Sequence, residues 1–409
     1  MTLGGGKVFL DINKTRTGSD RMKKSVVVIL SVMIAFAMLA GVCEAVDRAI
    51  KVGLIAELTG DIPAVGASCK DAAEMAVREI NKAGGIAMGN RKYRMELFIE
   101  DSSDKPKRAA DAARKLITRE NVIAIVGPNS SSNAIPASGI AEASKVVLIT
   151  PWSTNPKVTI DARTGKPGKY VFRATFIDTF QGRVLAKFAM DTMKAKKAAV
   201  LYDAASEYSK GIAEIFRQTF EEMGGTIVAF ESYPSNEKDF SPQLIKIRDS
   251  SPDVVFLPDY YDDVPLQVRQ AHSLGIKAPF LGSDSWGSHD LVKLCGKDCE
   301  GCYFSAHYSA DSPDPATRKF VKAYTAAYGK KPDDVAALTY DSFGLLRQAL
   351  IGAGKLDRQA LRDALAVIRG YEGVTGRMRF RDDSGDPVKS AVILQIKDGR
   401  FVWVADVQP

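Results

Sequence analysis

The chain has 409 residues, 45% of them apolar and 26% charged, with a formal charge of +7. That length exceeds one ordinary core and predicts two domains; the composition excludes a fibrous or disordered protein. Residues 1–45 hold six Lys/Arg and three Asp/Glu, which accounts for +3 and leaves +4 on the remainder. Elsewhere basic residues alternate with acids and form no stripe, so no nucleic-acid partner is expected.

From Met22 the sequence reads MKKSVVVILSVMIAFAMLAGVCEA. Two lysines, an apolar run over Val26–Val42 and a small-residue exit have the plan of a secretory signal peptide cleaved near Ala45. A membrane anchor is the competing reading of the run. Residues 1–21 have no signal character, which leaves Met1 and Met22 both open as the start. Export would place the cysteines in an oxidising compartment. Of Cys69, Cys295, Cys299 and Cys302, the last three lie in CGKDCEGC. A local disulfide is expected there rather than a metal site, since zinc wants paired ligands. Its pairing, and the state of Cys69, stay open.

In chain order, KVGLIAELTG (51–60) reads as a buried strand, followed by a helix over Asp71–Asn81 that closes on glycines. YRMELFIED (93–101) is a second strand and Ala109–Thr118 a helix with Pro106 at its first turn. IAIVG (123–127) and VVLIT (146–150) are buried strands flanking a helix that begins near Ser130, Ser131 and Ser132. This β-α alternation predicts an α/β fold with a parallel, doubly wound sheet. A Gly/Pro/Lys-rich loop (155–169) and YVFRATF lead to a second alternating set. Its strands are 198–203, 226–233, 253–258 and 278–283, and its helices 210–222, 241–249 and 262–274. Beyond Gly301 come one more strand, three helices (315–328, 333–351, 357–368) and short strands at 376–380, 390–396 and 400–407. Lys397-Asp398-Gly399 marks a hairpin. Two similar lobes on one chain imply a cleft between them.

No enzyme signature is found. His272, His289 and His307 lie in no HExxH or GxSxG setting, and no cofactor is expected. Polar residues at the predicted strand ends point instead to ligand binding. Ser131, Trp152 and Thr154 come from the first lobe; Asp203, Tyr208, Tyr260, Tyr261 and Asp284 come from the second. Each alone has an ordinary structural use, Asp284 as a turn residue or N-cap and Trp152 as a core plug. Those uses lead for any one residue and weaken when hydroxyls and a carboxylate converge on one crevice from both lobes.

The ordered stretches INKAGGI (80–86), SSSNAIPAS (130–138), LITPWST (148–154), EKDFSPQL (237–244), DVVFL (253–257), RQAHSLGI (269–276) and LGSDSW (281–286) resemble the periplasmic leucine/isoleucine/valine-binding proteins of ABC transporters. The resemblance implies two Rossmann-like lobes that close on a ligand about three crossovers, near 173–177, 304–307 and 377–380. Lobe 1 would comprise 46–174 and 306–378, and lobe 2 would comprise 175–305 and 379–409. It also implies a periplasmic monomer that hands an α-amino acid to an inner-membrane permease. Ser131 and Thr154 would hold the carboxylate, while Trp152 (through its carbonyl), Thr154 and Asp284 would meet the ammonium. Tyr208 and Tyr260 would close over the ligand. Val65 and Trp152 depart from the branched-chain pattern, which leaves open an amide, a urea-like compound or an aromatic acid as the ligand.

Overall fold

The computed structural model describes residues 49–409 apart from Ala162, Asp382 and Asp383, together with Met1, Thr2, Gly4 and Gly6. The signal-peptide expectation and the choice of start residue lie outside the described residues. Near-continuous apolar runs build the first sheet, as a parallel sheet covered on both faces requires. Its strands are Ala49–Ala56 (β1), Ile86–Met88 (β2), Arg91–Asp101 (β3), Ala124–Val126 (β4) and Val147–Thr150 (β5). After a ribbon of Ile160–Asp161 (β6) and Lys166–Pro167 (β7), Val171–Arg173 (β8) completes it. The order is β2-β3-β1-β4-β5-β8, with only β2 antiparallel to its neighbour.

Helices α1 (Pro63–Lys82), α2 (Pro106–Thr118) and α3 (Ser131–Ala143) connect these strands. Gly53 lets α2 lie close on β1, since a methyl there would come within 2.7 Å of Leu116. Helix α1 starts eight residues before the expected Asp71. Pro63 suits its first turn, and Val65, Cys69, Ala72 and Ala76 carry one buried face through.

A helix that sequence reasoning omitted, Asp178–Asp191 (α4), joins the two sheets. Its inner face mixes Asp178 and Gln181 with Val184, Leu185 and Phe188, all buried. Those polar positions blur the apolar period.

The second sheet holds Lys197–Asp203 (β9), Thr226–Tyr233 (β10), Val254–Leu257 (β11), Phe280–Gly282 (β12) and Tyr303–Ala306 (β13). Between them run α5 (Glu207–Glu222), α6 (Ser241–Asp249), α7 (Val264–Ser273) and α8 (His289–Cys295). The late helices α9 (Pro315–Tyr328), α10 (Asp334–Ala353) and α11 (Arg358–Ala366) return to the first lobe, where α10 packs along α1 and α11 on β5.

Three strands, Tyr371–Gly373 (β14), Gly376–Arg381 (β15) and Ser384–Val388 (β16), then form a small sheet. Only after them do Ala391–Lys397 (β17) and Arg400–Val407 (β18) join the second sheet, in the order β10-β9-β11-β12-β13-β17-β18.

The third crossover therefore follows Val388 rather than falling at 377–380. Phe380 packs edge-on against Phe172, with ring centroids 5.3 Å apart, and Gly385 lies tight on the Val171 backbone. These contacts hold β15 and β16 on β8. Cys295 and Cys299 form the local disulfide, and Cys69 and Cys302 are free and buried.

Candidate ligand-binding site between the lobes

Both sheets end their central strands at one crevice, and the expected residues gather there. Ser131, Trp152, Thr154, Tyr208 and Asp284 are buried, and Tyr260 is partly so. The rings of Trp152, Tyr260 and Tyr208 follow one another at centroid spacings of 5.9 and 5.4 Å and form an aromatic wall spanning the lobes.

Asp284 opens a 3-10 turn directly after β12. Its Oδ1 accepts from Gln181 Nε2 and from the Tyr208 hydroxyl, each at 2.6 Å, and its Oδ2 lies 3.0 Å from His307 Nε2. The Tyr208 hydroxyl is also 2.7 Å from Ser283 Oγ. His307 stacks on Phe176 at 4.0 Å, and burial pushes its pKa down against the pull of Asp284, so the imidazole is held neutral.

Four residues of this site escaped sequence reasoning: Arg173, Asp178, Gln181 and His307. Asp178 is fully buried at the first turn of α4, and neither of its carboxylate oxygens has a hydrogen-bond partner among the described residues. Burial, then the charge of Asp284, push its pKa up to about 8, with the Thr154 hydroxyl and Arg173 pulling the other way. Thr154 Oγ1 likewise has no well-formed partner, while its carbonyl accepts from Asp178 N at 3.0 Å.

Arg173 is the buttress beneath the Trp152–Asn155 loop. Its guanidinium donates to the carbonyls of Ser153 and Asn155 and pairs with Asp386 at 2.6 Å. A buried arginine on β8 read as an ordinary interruption of an apolar strand, because its partner lies more than two hundred residues along the chain.

The N-terminus of α3, where Ser131 is expected to hold a carboxylate, already has an acidic side chain near by. Glu57 accepts from the backbone N–H groups of Asn129 and Ser130, both at 3.1 Å, and from the Asn129 and Asn133 amides. Asp104 accepts from Ser130 Oγ at 3.0 Å. Burial raises the pKa of Glu57 first, and Asp104 adds to it. Ser131 sits one residue further in, and its Oγ accepts from Asn155 N at 3.4 Å. What remains for an anion is the Ser131 hydroxyl hydrogen and the orphan amides of a helix first turn.

Lobe contacts flank the site. Ser132 Oγ accepts from Glu207 N at 3.1 Å and Asn155 Nδ2 donates to Glu207 O at 2.6 Å. On the opposite flank the Tyr261 hydroxyl accepts from Ala64 N at 3.3 Å. Asp203 caps its own turn, accepting from Ala205 N, and stays outside the cluster. Val65 is buried in the first-lobe core.

Two doubly wound lobes with a buried set of polar and aromatic side chains between them have the layout of a two-lobed binding protein. A family model described as periplasmic binding protein matches residues 49–400, and the chain belongs to that family. It is a solute-binding protein of the ABC-transporter kind and not an enzyme.

Among similar proteins, the leucine-, isoleucine-, valine-, threonine- and alanine-binding protein of Pseudomonas aeruginosa is 29% identical over 372 residues, covering 91% of this chain and 94% of the relative. The leucine-binding protein LivK of Thermotoga maritima aligns with a TM-score of 0.81 at 33% identity, covering 88% of this chain and 99% of that one. A solute-binding protein of R. palustris in complex with benzoate aligns at 0.78 with 22% identity, covering 88% and 97%, which is a likeness of fold alone.

Proposed function

We propose that this protein captures a free α-amino acid in the periplasm by closing its lobes and delivers it, as a monomer, to an inner-membrane ABC permease. The observation that carries this is the pairing of Asp178 and Asp284. Two buried carboxylates lie near enough for the charge of Asp284 to raise the pKa of Asp178, and among the described residues neither the Asp178 oxygens nor Thr154 Oγ1 has a well-formed hydrogen bond. An ammonium supplies the missing charge and donors, because an uncompensated buried charge is costly.

In this proposal Ser131 and Thr154 take the ligand carboxylate, and Asp284 and Asp178 take the ammonium. Trp152, Tyr208 and Tyr260 enclose the side chain. The leucine-binding relatives support the amino-acid class. An aromatic acid without an amine brings only negative charge to this space and fits it poorly.

The hinge is proposed to run through residues 173–177, 304–307 and the link after Val388. Processing near Ala45 would release the periplasmic form.

The test is a calorimetric panel of the purified chain against amino acids, their N-acetyl derivatives and benzoates. Free amino acids should bind and N-acetyl forms should not. Asp284→Ala should weaken binding by about 30-fold or more, the scale for truncating one partner of a buried charge pair. If benzoates bind while amino acids do not, the proposal fails.

A further inference from the structure

A second cavity lies between the lobes, apart from the site described above. Its volume is about 880 Å³, and its lining includes neither Asp178 nor any other residue assigned above to the amino acid. Ser68 and Asp334 line it from lobe 1, His289 and Arg400 from lobe 2, and Ala306 from the second crossover.

Most charged groups on this lining already have partners. Lys330 pairs with Asp71, Lys331 with Asp311 and Lys293 with Asp290. Asp333 accepts from the Ser68 hydroxyl at 2.6 Å and from Ala336 N at 2.9 Å. Three groups stay open. Asp334 is 3% exposed; its Oδ2 accepts from the Trp152 indole at 3.2 Å, while Oδ1 has no hydrogen-bond partner among the described residues. On the opposite lobe His289 stacks on Phe401, with ring centroids 5.3 Å apart, and its buried Nε2 is likewise without a partner. Arg400, exposed at the start of β18 and next to Phe401, makes no ion pair among the described residues. The open acid therefore belongs to lobe 1 and the open bases to lobe 2.

A buried carboxyl without donors is costly. Burial, then the charges of Asp333 and Asp284, hold Asp334 well above the ordinary carboxylate range. An ammonium beside it supplies both donors and charge. A carboxylate supplies what the guanidinium fork of Arg400 and the ring nitrogen of His289 lack. In a single α-amino acid these two poles sit on one carbon, whereas the open groups here belong to opposite walls of a cavity near the upper end for small-molecule sites. An extended peptide advances about 3.5 Å per residue, so the ends of a di- or tripeptide stand further apart.

We propose that this cavity is a second ligand site, for a zwitterion with separated poles: a di- or tripeptide, its ammonium at Asp334 and its carboxylate at Arg400 and His289. The proposal is independent of the amino-acid reading above, because the two sites share no lining residue.

Calorimetry on the intact chain with alanine, dialanine, trialanine and leucyl-leucine tests this, alongside dialanine acetylated at its N-terminus or amidated at its C-terminus. At least one free peptide should bind the parent chain and also Asp284→Ala, which disables the first site. Either terminal block should weaken that binding by about tenfold or more, the scale of one lost hydrogen bond to a charged group. Arg400→Ala and Asp334→Asn, each checked for an unchanged melting profile, should weaken it equally. Absence of peptide binding overturns the inference and leaves the amino-acid reading standing. So does peptide binding that survives Arg400→Ala undiminished, or that Asp284→Ala abolishes, since the peptide then occupies another place. Alanine binding as tightly as dialanine in Asp284→Ala overturns the requirement for separated poles, and the inference with it.

Discussion

Among the described residues no well-formed donor reaches the buried Asp178 carboxyl, which also feels the charge of Asp284, so ionising it is costly. Its pKa rises from the usual 3.8 to about 8. Between those values the folded chain holds a proton that the unfolded chain has released, so stability falls as pH rises through this window. Asp178→Asn should therefore raise the melting temperature of the ligand-free protein more at pH 8 than at pH 5. A gain that is the same at both values would contradict the assignment. The same group predicts proton release when an ammonium binds at pH 7, read as a binding heat that changes with the ionisation heat of the buffer. Asp284 is different in kind, because Tyr208, Gln181 and His307 already orient it.

Two elements hold these side chains in place. The loop between β5 and the ribbon carries Trp152 and Thr154, and Arg173 on β8 supports it from below through two carbonyls and Asp386. Arg173→Leu breaks a buried pair and frees those carbonyls, which should cost about 3–5 kcal/mol of stability, measurable by urea denaturation. The turn after Asp284 is the second element. Gly287 lies so close to α10 that an added methyl would come within 2.5 Å of the Asp334 carboxylate. That conflict joins the lobes, so Gly287→Ala should fold normally yet weaken ligand binding at least tenfold. Small-angle scattering should find the variant more open than the parent when ligand is present, and an equally compact variant would refute the account.

For the whole molecule, the closure proposed above would tie ligand binding to stability. Ligand at 100 times its dissociation constant should add about 2.7 kcal/mol to unfolding, whereas the Cys295–Cys299 bridge closes only a four-residue separation. Loop-closure entropy gives that bridge about 2 kcal/mol, so mild reduction should lower the melting temperature a little and change affinity less than twofold. The sequence by itself determined the two α/β lobes, because buried parallel strands need apolar runs and their crossover helices need a regular apolar period. It also anticipated that Ser131, Thr154, Tyr208 and Asp284 would lie near one another, since polar residues that follow buried strands cluster at strand ends. Helix α4 and the true third crossover were hidden, because Asp178 and Gln181 interrupt one pattern and the contacts of Phe380 and Gly385 with β8 are long-range. Tertiary structure alone decided that the Asp178 carboxylate has no hydrogen-bond partner among the described residues and that Glu57 already accepts from the amides just before Ser131. It also decided that Trp152 and Asp334, 182 residues apart, share one hydrogen bond. A side chain's charge state depends on what surrounds it in space, and neither spacing nor periodicity along the chain encodes those neighbours.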